Sequence, residues 1–160
     1  MAYHDEILLH ARQLVQRERK NPRQVSLRRA ISAAYYALFH LLISKAASNW
    51  NQSKLRATLS RAFDHGIMKA ASSRINDGRK TRFVGEDPTA VANLRFVAKA
   101  FVVLQEERHI ADYDNATEWE ASQATSLVAL AEEAFKKWAA IRNEPVAQAY
   151  LLSLLIEKRD

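Results

Sequence analysis

The chain has 160 residues, 48% of them hydrophobic and 26% charged, with a formal net charge of +6. This length and composition predict one globular domain that buries roughly 70% of its unfolded surface, and they exclude bulk disorder. Cysteine is absent, which rules out disulfides and thiolate metal sites and makes cytoplasmic residence the expectation.

Only three glycines and three prolines occur, so the expected fold class is all-α, an up-and-down helical bundle of five to six helices. The N-terminus MAYHDEILLHARQ is acidic and amphipathic, without the basic start and small-residue cleavage site of a signal peptide. No uninterrupted apolar run of about 18 residues is present, so no membrane span is expected. The first helix is placed at 4–20, with Ile7, Leu8, Ala11, Leu14 and Val15 at helical spacing. Asn21-Pro22 supplies a break, a cap and a first-turn proline for a second helix over about 22–47. Ser53 is positioned to cap a third over about 54–73.

The segment SSRINDGRKTRFVGED, residues 72–87, reads as the longest loop, carrying Arg74, Arg79, Lys80 and Arg82. Its glycines do not open a helix with phosphate-loop spacing, but its cations and Phe83 suit a nucleic-acid strand. Asp87-Pro88 starts a fourth helix that runs to about 111. Thr117 and Glu120 have capping-box spacing for a fifth, to about Arg142. Glu144-Pro145 opens a sixth, about 145–158, so apolar that it needs burial on more than one side. Its own bundle or a two-fold subunit contact would supply that burial.

Charge is uneven along the chain. Residues 1–82 hold 16 Lys/Arg against 5 Asp/Glu, while 83–160 hold 8 against 13. Arginines outnumber lysines fifteen to nine, which suits forked contacts to phosphate. A polyanion partner is one reading; a solvated basic surface facing an acidic one is the other.

Two stretches carry the chemistry. In the second helix, Arg29, Ser32, Tyr36 and His40 fall within an arc of about 80° at about 100° per residue. Leu27, Ile31, Tyr35, Leu38 and Leu42 occupy the opposite side. A stripe of hydroxyls, an imidazole and a guanidinium, without Glu or Lys, suggests a half-buried polar seam whose tips must find partners. The bland alternative is a helix-packing interface with satisfied hydrogen bonds. At the end of the fourth helix, the stripe Leu94, Val97, Phe101 and Leu104 runs into Arg108 and Asp112, four residues apart. An acid near a helix C-terminus opposes the macrodipole, so Asp112 needs a basic or hydroxyl partner from another helix, with Arg29 the candidate. A buried ion pair fixing helix register is the alternative.

These stretches together resemble the HEPN family of small all-helical nucleotide- and RNA-associated domains. The resemblance rests on R-x-x-S-x-A-Y-Y-A-x-F-H (Arg29, Ser32, Ala34, Tyr35, Tyr36, Ala37, Phe39, His40), on R-x-x-A-D-Y (Arg108, Ala111, Asp112, Tyr113), and on His65 in FDHG. It implies a single HEPN-like helical domain over 1–160, with a core at about 5–142 and an added C-terminal helix at about 145–158. It implies a homodimer and an RNA or nucleotide ligand. In active members it implies a metal-independent endoribonuclease site where two subunits meet. Such members serve as toxins paired with a nucleotidyltransferase antitoxin, or in phage defence.

The family signature is an arginine, four to six residues, then a histidine. Here Tyr113 stands in that place after Arg108, and His109 lies about 100° round the helix. Metal-free cleavage needs a base for the 2′-hydroxyl, charge stabilisation at phosphorus and an acid for the leaving oxygen. The catalytic candidates are therefore Arg108 and Asp112, with His40 as the best remaining acid/base group and His65 behind it, and substrate binding is assigned to Arg29, Ser32, Tyr36, Tyr113 and His65. The alternative is a non-catalytic dimeric interaction module working with a nucleotidyltransferase or nuclease partner. No cofactor and no metal is expected: the five histidines form no ligand cluster in sequence. A hydrolytic trio of Ser32, His40 and Asp112 lacks a nucleophile turn.

Overall fold

A computed structural model describes residues 1–17, 20–79 and 82–156. Among these residues the secondary structure is seven helices and no strand: α1 Tyr3–Arg17, α2 Gln24–Ser48, α3 Ser53–Ser60, α4 His65–Ile75, α5 Pro88–Tyr113, α6 Ala121–Ile141 and α7 Pro145–Ser153.

The sequence count of five to six fails at one place. The helix expected over 54–73 is two helices, because Asp64 starts a new one. Its Oδ1 accepts from Ile67 N–H at 3.0 Å, while the chain leaves α3 at Arg61. That is the N-cap arrangement, which satisfies a donor the first turn leaves orphaned. Pro88 and Pro145 do open α5 and α7, and Asp87 caps α5 by accepting from Ala90 N–H at 3.0 Å. Pro22 instead precedes its helix: the Arg23 carbonyl accepts the first bonds, from Ser26 and Leu27. The capping box is displaced by three residues, since Gln123 Oε1 accepts from Glu120 N–H at 2.8 Å just before α6. Thr117 meanwhile donates to Asp114. Lys80 of the long loop and residues 157–158 of the sixth expected helix lie outside the described residues.

The chain divides into two compact units, each built from separated stretches. The first comprises Met1–Leu41 and Val103–Phe135; the second comprises Leu42–Val102 and the chain from Lys136 onward. In the first, Leu27, Ile31, Ala111, Trp119 and Ala124 form a buried cluster, flanked by Val15, Ile110, Ala121 and Leu127. Trp119 is fixed by the Gln24 amide, which donates to its carbonyl at 2.7 Å and accepts from its N–H at 2.9 Å. In the second unit Met68, Leu94, Phe101, Trp138, Tyr150 and Leu151 are buried. There Ser72 donates to the Met68 carbonyl, so the 2.7 Å contact with Tyr150 has the phenol as donor. α2 has the length and apolar character of a bilayer span, but most of it is buried inside the protein, as in a core helix.

Charge is uneven between the units as well as along the sequence. The first unit holds 8 Lys/Arg and 11 Asp/Glu, a balance of −3; the second holds 16 and 7, a balance of +9.

Candidate functional site

α1 and α2 are joined by only six residues, 18–23, and Tyr3 at the start of α1 meets His40 near the far end of α2, ring centres 4.9 Å apart. The two helices therefore run antiparallel. Between them, closed at one side by Asp112 of α5, lies an open cleft of about 700 Å³, within the range of small-ligand sites. Arg29, Ser32, Tyr36 and His40 line it from α2, with Ala33 between them. Tyr3, Glu6, Ile7 and His10 line it from α1.

The polar seam is thus a wall of a cleft. Its chemistry changes along its length, which over Arg29 to His40 is about 16 Å at about 1.5 Å per residue. One end is aromatic: the His40 ring meets Tyr3 edge-on and lies 6.3 Å from Tyr36. The other end carries Arg29, exposed and without a hydrogen bond or ion pair to any described residue. Ser32 and Asp112 lie between, the serine hydroxyl donating to Asp112 Oδ2 at 3.5 Å, long for a charge-assisted bond.

Arg108 stands behind this wall. It is 9% exposed, with its guanidinium carbon 5.0 Å from the Tyr35 ring centre and 5.6 Å from that of Tyr36. Both distances are within reach of cation–π attraction. One guanidinium nitrogen is 3.7 Å from Asp112 Oδ2, and its Nε is buried without a hydrogen-bond partner among the described residues. The partner for Asp112 is therefore Arg108, helped by Ser32. No hydrogen bond or ion pair joins Asp112 to Arg29 among the described residues, contrary to the sequence expectation.

Two further expected site residues do not line the cleft. Tyr113 ends α5, is 68% exposed and packs its ring 5.0 Å from His109, outside the cleft lining. His65 is the first residue of α4 and belongs to the second unit. No group of three or more His, Asp or Glu among the described residues could hold a metal ion.

Sequence reasoning missed two contributions. Tyr3, Glu6, Ile7 and His10 are spaced i, i+3, i+4 and i+7, a single helix face that the apolar residues beside it overshadowed. Arg28 is the second. Its guanidinium donates to the carbonyls of Ala111 and Asp114, both at 2.8 Å, and to that of Thr117. It thereby holds the last turn of α5, whose carbonyls have no intrahelical donors, and so sets where Asp112 stands.

No family model, no curated protein and no solved structure matches the chain.

Proposed function

We propose that this chain is a HEPN-like RNA- or nucleotide-binding protein, an up-and-down bundle whose α1/α2 cleft takes one nucleotide unit. The observation that carries the reading is the graded cleft. Arg29, Ser32, Tyr36, His40 and Asp112, singled out by helix-face spacing and carried by the motif resemblance, line one cavity together with Tyr3 and His10. Aromatic rings at one end offer a face to a base, and at the other a guanidinium unpaired among the described residues offers a fork to a phosphate.

Cleavage, in this reading, is metal-independent. The ribose 2′-hydroxyl attacks phosphorus, forming the P–O2′ bond and breaking the P–O5′ bond. His40 accepts the hydroxyl proton and the O5′ oxygen leaves with a proton from water, while Arg29, about 16 Å along the cleft, holds a flanking phosphate of the strand. Arg108, buried and paired, positions Asp112 and Tyr36. As in the family it resembles, the protein would act in the cytoplasm as a homodimer, in a toxin–antitoxin pair with a nucleotidyltransferase or in phage defence.

A second reading is favoured by one observation. Arg108 is buried, and Tyr113 stands exposed where the family signature has a histidine. That suits a non-catalytic dimeric module working with a nucleotidyltransferase or nuclease partner. Incubating purified protein with RNA in chelator separates the two. Cleavage lost in His40→Gln with nucleotide binding intact supports the enzyme. Binding without cleavage supports the module, and neither binding nor cleavage overturns both.

A further inference from the structure

Basic residues are concentrated in the second unit, whereas the cleft belongs to the first. The second unit carries the balance of +9, and from residue 19 to residue 63 the sequence contains no Asp or Glu. Within that stretch lies α3, which buries none of its eight residues. An eight-residue helix is far too short to be stable by propensity alone, and α3 has only a partly covered face, Arg56, Leu59 and Ser60. Just before it stands Trp50, 51% exposed, followed by Leu55 at 50%. Of the three tryptophans, the other two, Trp119 and Trp138, are 6% and 2% exposed.

Trp50 is held in place. Arg56 Nε–H donates to its carbonyl at 2.8 Å, so a guanidinium stands beside the turn that carries the indole. Asn49 next to it donates to Gln148 Oε1 at 2.8 Å. Lys54 in α3 and Arg61 just past its end, seven residues apart, share one exposed side, so a strand passing Arg56 crosses the helix to reach them; Asn51, Gln52 and Ser53 are exposed at its start.

We propose that this surface binds single-stranded nucleic acid. One base stacks on Trp50, and Lys54, Arg56 and Arg61 neutralise backbone phosphates. Interleaved cations and an open indole are what a sequence-tolerant strand requires, because every base has a π-face and every linkage a charge. Two exposed apolar side chains against three cations offer little acyl-chain burial, which makes a lipid surface the poorer occupant. The site is separate from the cleft reading and stands whether or not that cleft takes a nucleotide.

The test is a titration of full-length protein with a fluorescein-labelled oligouridylate of twelve nucleotides, read by anisotropy and by tryptophan emission at several salt concentrations. Binding should quench emission, since Trp50 is the open indole. Log affinity should fall against log salt with a slope of about −2, as three single-strand phosphate contacts require. Trp50→Leu should weaken binding roughly tenfold, the loss of one stacked base. Lys54→Gln and Arg61→Gln should each flatten the slope by about 0.7. Circular dichroism checks that each variant folds. Absence of oligonucleotide binding at low salt overturns the proposal, and so does binding that is indifferent to all of these substitutions. It is equally overturned if phosphatidylserine vesicles shift Trp50 emission to the blue while the oligonucleotide leaves it unchanged, or if polyglutamate competes as well as RNA does.

Discussion

The Arg108 guanidinium and the Asp112 carboxylate stand 3.7 Å apart on successive turns of α5, the arginine buried and the acid 28% exposed in the cleft wall. The pair gives the two arginines flanking the cleft opposite roles. Arg108→Met should destabilise the protein by about 2–3 kcal/mol, below the usual figure for a broken buried pair because Asp112 keeps some water. Arg29→Gln should stay within about 0.5 kcal/mol of the parent while weakening nucleotide binding. Denaturant unfolding with calorimetric titration of a nucleoside monophosphate checks both. A stable Arg108→Met protein that loses binding would contradict the assignment of Arg108 to positioning.

Arg28 is the second test. Three carbonyls at the end of α5 and in the following turn share its guanidinium. Arg28→Ala strands them and should cost about 2 kcal/mol, lowering Tm by about 4–8 °C for a chain of this size. Arg28→Lys, without the planar fork, should recover only part of that loss.

The polar contact in the core of the second unit links structure to alkaline stability. Burial raises the Tyr150 phenol above its ordinary range, against the smaller opposing effect of the Ser72 bond. A folded-state value above the unfolded one means the contribution is complete below about pH 10 and is lost as pH rises beyond it. Tyr150→Phe should cost about 1 kcal/mol at neutral pH. It should also reduce the loss of stability between about pH 10 and 11, read from urea midpoints at each pH.

The turn after α5 has an acid counterpart. Asp114 is held below its ordinary 3.8, first by the Thr117 hydroxyl and then by the Ala116 N–H. A depressed value stabilises above the unfolded pKa, and that stabilisation fades as pH falls below 3.8. Asp114→Asn should therefore lower Tm at pH 7 and converge with the parent under acid conditions, by thermal scans at both.

Much of the site was legible in α2, because a stripe of Arg29, Ser32, Tyr36 and His40 without Glu or Lys is improbable as a solvent face. The α1 wall was not, since its polar residues flank an apolar run that reads as ordinary core packing. Asp64 carried the signal that divides α3 from α4, an N-cap residue ahead of His65, but a continuous helical pattern masked it. The role of Arg28 had no local signal at all, its acceptors lying 83 to 89 residues further along the chain. The buried state of Arg108 likewise depends on Tyr35 and Tyr36, two residues of another helix.

A helix that buries no side chain fully has a cost in lifetime. α3 can unwind without opening any core, so its amides should exchange fastest among the seven helices, and trypsin should cut first after Lys54, Arg56 or Arg61. The nick would fall between the capped start of α4 and the long α2. It would separate two fragments in mass while leaving the helical signal of the whole nearly unchanged.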